Sequence, residues 1–176
     1  PYRSTPVSVW LVTAGVLVLA MCAQVGLVFN PGYFSHDELQ WAHRADVAHW
    51  SDLPWVGWFD VAIFQWRPLT FNLWLPISHG LFDTPYAWHA LWVFVGSGIA
   101  AALSLLLLRL GASKVIALLA GLAFALNPYA AYVHGWIATL ADLLWVGLAI
   151  ALAHVVVTLE RRAANGVAMA VAAFGF

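Results

Sequence analysis

From Ser4 to His36 the chain carries no Asp, Glu, Lys or Arg, and the centre of that run, Val7 to Phe29, has the length and composition of a membrane helix. The whole sequence repeats the theme. Of its 176 residues 64% are hydrophobic and 9% charged, whereas a soluble domain carries about 25% charge. A water-soluble globular domain is therefore excluded. A cleaved signal peptide is the competing reading of the first run, but the run exceeds a signal's apolar core and has no clear small-residue cleavage site before Asn30.

Charges divide the rest of the chain into spans. Thr84 to Leu108 is uncharged and closes at Arg109, predicting a second span over 86–109. A tight Gly111-Ala112-Ser113-Lys114 turn follows, then a third apolar run over 114–127 that meets Pro128, which disfavours helical geometry at the residue before it. A fourth span is expected over 131–159, ending at Glu160-Arg161-Arg162, and residues 166–176 start a fifth. No Met stands at position 1 and Gly166 to Phe176 is shorter than a span, so the expectation is part of a longer protein. The predicted fold is all-α: a polytopic membrane bundle of about four complete spans plus part of a fifth.

Arg3, Arg109, Lys114, Arg161 and Arg162 fall on one side of these spans, and Arg44 and Arg67 on the other. The positive-inside rule makes the first side cytoplasmic, with the N-terminus there and the loop 30–85 extracytoplasmic, periplasmic or lumenal. That loop holds six of the eight acidic residues and six of the eleven tryptophans. Tryptophan favours the headgroup layer, so interfacial helices lying along the membrane are expected there. Net charge is −1, which provides no field for nucleic acid. The single cysteine, Cys22, sits in an apolar run and reads as a small lipid- or helix-facing residue.

Ser35-His36-Asp37-Glu38 reads as a capping box opening a helix towards Trp50, with Asp37 in the first turn where the helix dipole favours a carboxylate. Ionised acids beside lipid headgroups are candidates for chemistry, although two acids at a helix start also simply solvate it. His36 and His43 share a face with Gln40, yet without a third close ligand no metal site is assigned. Successive helical side chains diverge by about 100°, so His36, Asp37 and Glu38 do not converge on one ligand. Asp142 stands 18 residues before Glu160, about 27 Å along a helix, at the outer edge of the hydrocarbon. Thr139 and Trp145 flank it on one face, which turns Asp142 towards the bundle or, in the plainer reading, towards interfacial water.

Three ordered segments then carry a resemblance: His36-Asp37-Glu38; Trp66-Arg67-Pro68-Leu69-Thr70 leading to Tyr86-Ala87-Trp88-His89; and Leu126-Asn127-Pro128 followed by His134-Gly135-Trp136-Ile137 and Asp142-Leu143-Leu144. They resemble the N-terminal part of the GT-C membrane glycosyltransferases, within the protein O-mannosyltransferase-like branch whose eukaryotic members carry tetratricopeptide repeats. The chain departs from that pattern at Asn127, where the branch has His before Pro128, and at Thr139-Leu140-Ala141, where it has Gly-Arg-Lys.

The resemblance implies inverting transfer of a sugar from a polyprenyl-phosphate donor to an acceptor on the extracytoplasmic face. Asp37 is then the base and Glu38 its neighbour or substitute. Arg67 pairs with the donor phosphate, and His89, His134 and Asp142 bind substrate. No cofactor is assigned beyond the lipid-linked sugar, with room for a divalent cation. Membrane lipid is the surrounding partner.

Two rivals stand beside this reading. One is a non-catalytic membrane subunit that keeps the scaffold, its open side covered by other membrane subunits. The other is a haem or pigment protein using His89 or His154. These histidines lie about 30 Å and about 9 Å from the inner ends of their helices, in opposite leaflets, which excludes one bis-His haem.

Overall fold

The computed structural model describes residues 6–29, 83–136 and 139–162, together with residues 43, 49, 51, 54, 56–62, 68 and 71–73. The described chain is helical: α1 (Pro6–Ala23), α2 (Val25–Val28), α3 (Pro85–Arg109), α4 (Lys114–Leu126), α5 (Pro128–Gly135) and α6 (Leu140–Arg162). By length and composition α3 and residues 141–159 of α6 each suffice to cross a membrane. The pair α4 and α5, bent by 50°, adds a third if it forms one span. α1 is apolar but shorter.

The boundaries follow from local chemistry. Pro85 opens α3, where a missing N–H costs nothing. At its far end Gly111 takes a φ of 97°, Ala112 N–H donates to the Leu107 carbonyl at 2.9 Å, and Gly111 N–H donates to that of Leu108 at 3.1 Å. This is a Schellman ending, which needs a residue free of Cβ strain at that φ. Ser113 caps α4 two residues later by accepting from Ile116 N–H at 3.3 Å. The expected turn at 111–114 is thus a helix stop and a helix start back to back.

Two breaks depart from the expected spans. The first run, expected as one helix over 7–29, is interrupted at Gln24, whose side-chain Nε2 donates to the Ala20 carbonyl at 3.1 Å. The expected fourth span, 131–159, is likewise not one helix. α5 ends at Gly135, Trp136 is extended, and α6 begins at Leu140. The Thr139 hydroxyl donates at this break to the carbonyls of Val133 (2.8 Å) and Trp136 (2.5 Å). A side chain that serves carbonyls locally competes with the helix ladder, which accounts for the interruption. Thr139 therefore precedes α6 rather than sharing a helix face with Asp142, and Trp145 is 62% exposed.

α3 is the central helix, packed against α1, α2, α4, α5 and α6, while α1 and α4 also touch each other. The contact surfaces are built of small residues. Gly96, Ala100 and Ser104 on α3 recur every four residues, as do Ala117, Gly121 and Ala125 on α4, and all six are buried. Small side chains let backbones approach where lipid offers no hydrophobic drive for association. Gly121 shows how close: a Cβ there would stand 3.0 Å from Val16 Cγ1 and 3.2 Å from Ser104 Cβ.

The helices alternate in direction. The rings of Phe29 and Tyr86 lie 6.5 Å apart, joining the end of α2 to the start of α3. At the opposite end Arg109 Nη1 donates to Thr158 Oγ1 at 3.4 Å and lies 3.3 Å from His154 Nδ1, joining the ends of α3 and α6. One end of the bundle thus holds Phe29, Tyr86 and the α4–α5 bend; the other holds Arg109 and Lys114. Within the long connection, Asn72 clamps Val56, accepting from its N–H at 2.9 Å and donating to its carbonyl at 3.0 Å.

Candidate functional site

The end of the bundle that carries Phe29 and Tyr86 also carries a buried polar cluster. Asn127 starts it. Its Oδ1 accepts from Ala130 N–H at 2.9 Å and its Nδ2 donates to the Phe124 carbonyl at 2.6 Å, so one amide closes α4 and caps α5. With Pro128 as first residue, α5 leaves at an angle and brings His134 over α3. The ring comes to rest on Gly96, where any Cβ would overlap it.

His134 is 3% exposed and Gln24 5%. They meet through His134 Nδ1 and Gln24 Oε1, 2.5 Å apart. The protonation pattern follows. Gln24 Nε2 donates to the Ala20 carbonyl, which only accepts, and sits 3.5 Å from Ser97 Oγ. That fixes which end of the amide is oxygen, and the oxygen accepts from His134 Nδ1–H. In the neutral ring, Nε2 then carries the lone pair.

A cavity of about 120 Å³ opens beside this ring, lined among others by Gly96, Asn127, Tyr129, His134 and Asp142. The Nε2 end of the ring is the part set against Gly96, and both residues border the cavity. Asp142, in the first turn of α6, adds a carboxylate. Ile99 and Leu143 line this cavity and also a larger groove of about 430 Å³ between α3 and α6, whose walls include Trp88, Trp92, Val95, Leu144 and Gly147. Those two residues are therefore walls of both spaces.

Of the sequence-derived candidates, His134 and Asp142 are brought together at one cavity. His89 is fully buried on the same face of α3, seven residues and about 10 Å before Gly96, and does not line the cavity. Asp37, Glu38 and Arg67 lie outside the described residues, as do His36 and Gln40. Gln24, Gly96 and Ser97 were not singled out by sequence. Gln24 gave a signal nonetheless, as an amide inside an otherwise apolar run, where polar side chains mark interhelical bonds.

His154 is committed elsewhere: its Nε2 lies 2.8 Å from the Ala102 carbonyl and its Nδ1 3.3 Å from Arg109 Nη1. Neither nitrogen is left to bind a haem or pigment. Among the described residues no group of three or more His, Cys, Asp or Glu side chains gathers that could hold a metal. Compared with known proteins, the chain matches no family model, no curated protein and no solved structure.

Proposed function

We propose that the chain is the N-terminal portion of a GT-C-like membrane glycosyltransferase, moving a sugar from a polyprenyl-phosphate donor to an acceptor at the extracytoplasmic face. One observation carries the reading. His134 and Asp142, which the resemblance marks independently, line one cavity at the end of the bundle from which the loop bearing Asp37, Glu38 and Arg67 departs.

The proposed membrane arrangement is four spans and part of a fifth, with the N-terminus cytoplasmic and interfacial helices in the loop. Asp37 takes the proton from the acceptor hydroxyl while that oxygen forms its bond to the sugar carbon. The carbon–oxygen bond to phosphate breaks from the opposite side, and the polyprenyl phosphate leaves with its electron pair. Glu38 positions Asp37. The Arg67 guanidinium holds the phosphate, for which its planar fork is suited. His89, His134 and Asp142 serve the substrate side.

A second reading has its own support. α6 packs chiefly on α3 alone, and Trp145, Leu148, Leu152 and Val155 remain exposed along it. A non-catalytic subunit that offers this face to other membrane subunits accounts for those side chains equally well. Incubating membranes that contain the protein with labelled polyprenyl-phosphate sugars separates the two. Label passing to an acceptor only when the protein is present supports the transferase, and no transfer from any such donor favours the subunit.

A further inference from the structure

Two side chains in the long connection between α2 and α3 are more exposed than any large apolar side chain on the described helices: Phe59 at 93% and Val61 at 73%. Trp58 beside them is exposed as well. Single apolar residues are ordinary on a protein surface, but three within four consecutive positions make a patch that needs cover. The backbone presents the patch as a turn. Asp60 N–H donates to the Gly57 carbonyl at 3.3 Å, and Val61 N–H to the Phe59 carbonyl at 3.0 Å. At its base Val56 is buried and held by Asn72 at both its N–H and its carbonyl. The exposed tip thus stands on a braced base, and docking it requires little further ordering.

The apolar phase beside this turn is the bilayer. The connection leaves α2 and enters α3 at one end of the bundle, where the Phe29 and Tyr86 rings lie 6.5 Å apart, and α3 is long and apolar enough to cross a membrane. Asn72, which holds the turn, stands 13 positions before Pro85. Even fully extended, that stretch reaches only about 45 Å, so the turn stays over the membrane face at which α3 enters. Charge narrows the partner further. From Val56 to Ala62 the only charged residue is Asp60, so the turn has no cation with which to hold a phosphate or an anionic surface. It offers instead an indole, which prefers the headgroup layer, and two side chains that gain free energy by leaving water.

We propose that the turn at 57–61 is a membrane anchor: Phe59 and Val61 insert into the leaflet adjoining the Phe29–Tyr86 end of the bundle, with Trp58 at headgroup level. Docking is by apolar burial and not by charge. Asp60 limits the depth, because its carboxylate stays with water. Interfacial segments held in this way sit about 5–10 Å into the headgroup–acyl boundary. The anchor goes beyond the transferase reading and holds for a transferase or a subunit alike. In the transferase it fixes to the bilayer one point of the loop that also bears Asp37, Glu38 and Arg67.

The test uses the whole chain in phosphatidylcholine nanodiscs, with the exposed Cys22 replaced by Ala and a nitroxide placed on Ala62→Cys, an exposed position beside the turn. Collisions with oxygen, which enters lipid, and with a water-soluble nickel chelate report depth, calibrated with lipids spin-labelled at the headgroup and along the chain. The label is expected below the phosphates, within about 10 Å of them. Phe59→Ser with Val61→Ser should bring it out to the aqueous side, and exchanging phosphatidylcholine for phosphatidylglycerol should not deepen it. Phe59 and Val61 are unaltered in the deciding measurement, so it does not depend on the serine variant folding. A label in contact with the nickel chelate above the phosphates overturns the anchor. A label shielded from both agents overturns it in favour of a protein surface, such as a second copy, as the cover. Deeper insertion into phosphatidylglycerol overturns docking by apolar burial alone. Sugar transfer is measured separately: its absence with the label at the expected depth removes the transferase and keeps the anchor, and transfer with the label in water does the reverse.

Discussion

Gly96→Ala is the substitution to which the site is most exposed. Elsewhere in α3 the same change helps: Gly98 has nothing within 4 Å of where its Cβ would stand, and Gly to Ala in a helix gains about 0.5–1 kcal/mol. At Gly96 the methyl would occupy the position of the His134 ring. Relief requires the ring to leave or α5 to lift from α3. Overpacking of this kind costs about 1–3 kcal/mol, and the lost His134–Gln24 bond adds about 0.6–2 kcal/mol inside a membrane protein. After the helix gain is subtracted, a net loss of about 1–4 kcal/mol is expected.

The assay is equilibrium unfolding in mixed micelles, with Gly98→Ala measured alongside. Removing the ring supplies the internal check. In His134→Ala the methyl at position 96 has room, so Gly96→Ala should cost little in that background and the two changes should be strongly non-additive. If Gly96→Ala proves as benign as Gly98→Ala in the otherwise unaltered protein, the seating of His134 on α3 is refuted.

Gly121→Leu should separate α1 from α4, given Val16 at 3.0 Å from its would-be Cβ; unfolding should show a loss of at least about 2 kcal/mol, partly recovered by Val16→Ala. Asn127→Ala removes the cap of α5, and should cost about 1 kcal/mol and raise amide exchange over residues 128–135. His154→Phe strips the Ala102 and Arg109 contacts that tie α6 to α3. It should cost about 0.6–2 kcal/mol and raise the labelling of single cysteines introduced along the C-terminal half of α6.

What the sequence disclosed and what it concealed have the same cause. Charges and special residues are legible because they break an apolar background. Asp83 and Arg109 bracket α3 to within a residue or two of its bounds, Gly111 and Ser113 announce the turn, and Pro128 the bend. Inside the background there is little to read. Because α1 is apolar all round, with Val7, Trp10, Leu11 and Val18 exposed, no amphipathic period marks which face packs or where the helix stops. The break at Gln24 is therefore hidden until its amide is seen to serve three partners. The interruption before α6 is hidden for a related reason, since Thr139 reads equally well as a helical residue until its hydroxyl is found on the Val133 and Trp136 carbonyls.

The candidate site divides in the same way. His134 and Asp142 are chemically conspicuous and eight residues apart, and the break between α5 and α6 lets them line one cavity where a continuous helix would fix their spacing. The glycine that admits the imidazole and the glutamine that sets its proton are ordinary residues in sequence. Only the crossing of α5 over α3 gives them meaning.

The claim of sugar transfer is tested most directly by comparing Asp37→Asn with the unaltered protein, in membranes supplied with a labelled polyprenyl-phosphate sugar. Asparagine keeps the shape and the helix-capping capacity of aspartate while removing its basicity. The account predicts that transfer collapses while membrane insertion is unchanged, and that Asp142→Asn produces a smaller loss. Full transfer by Asp37→Asn would contradict it.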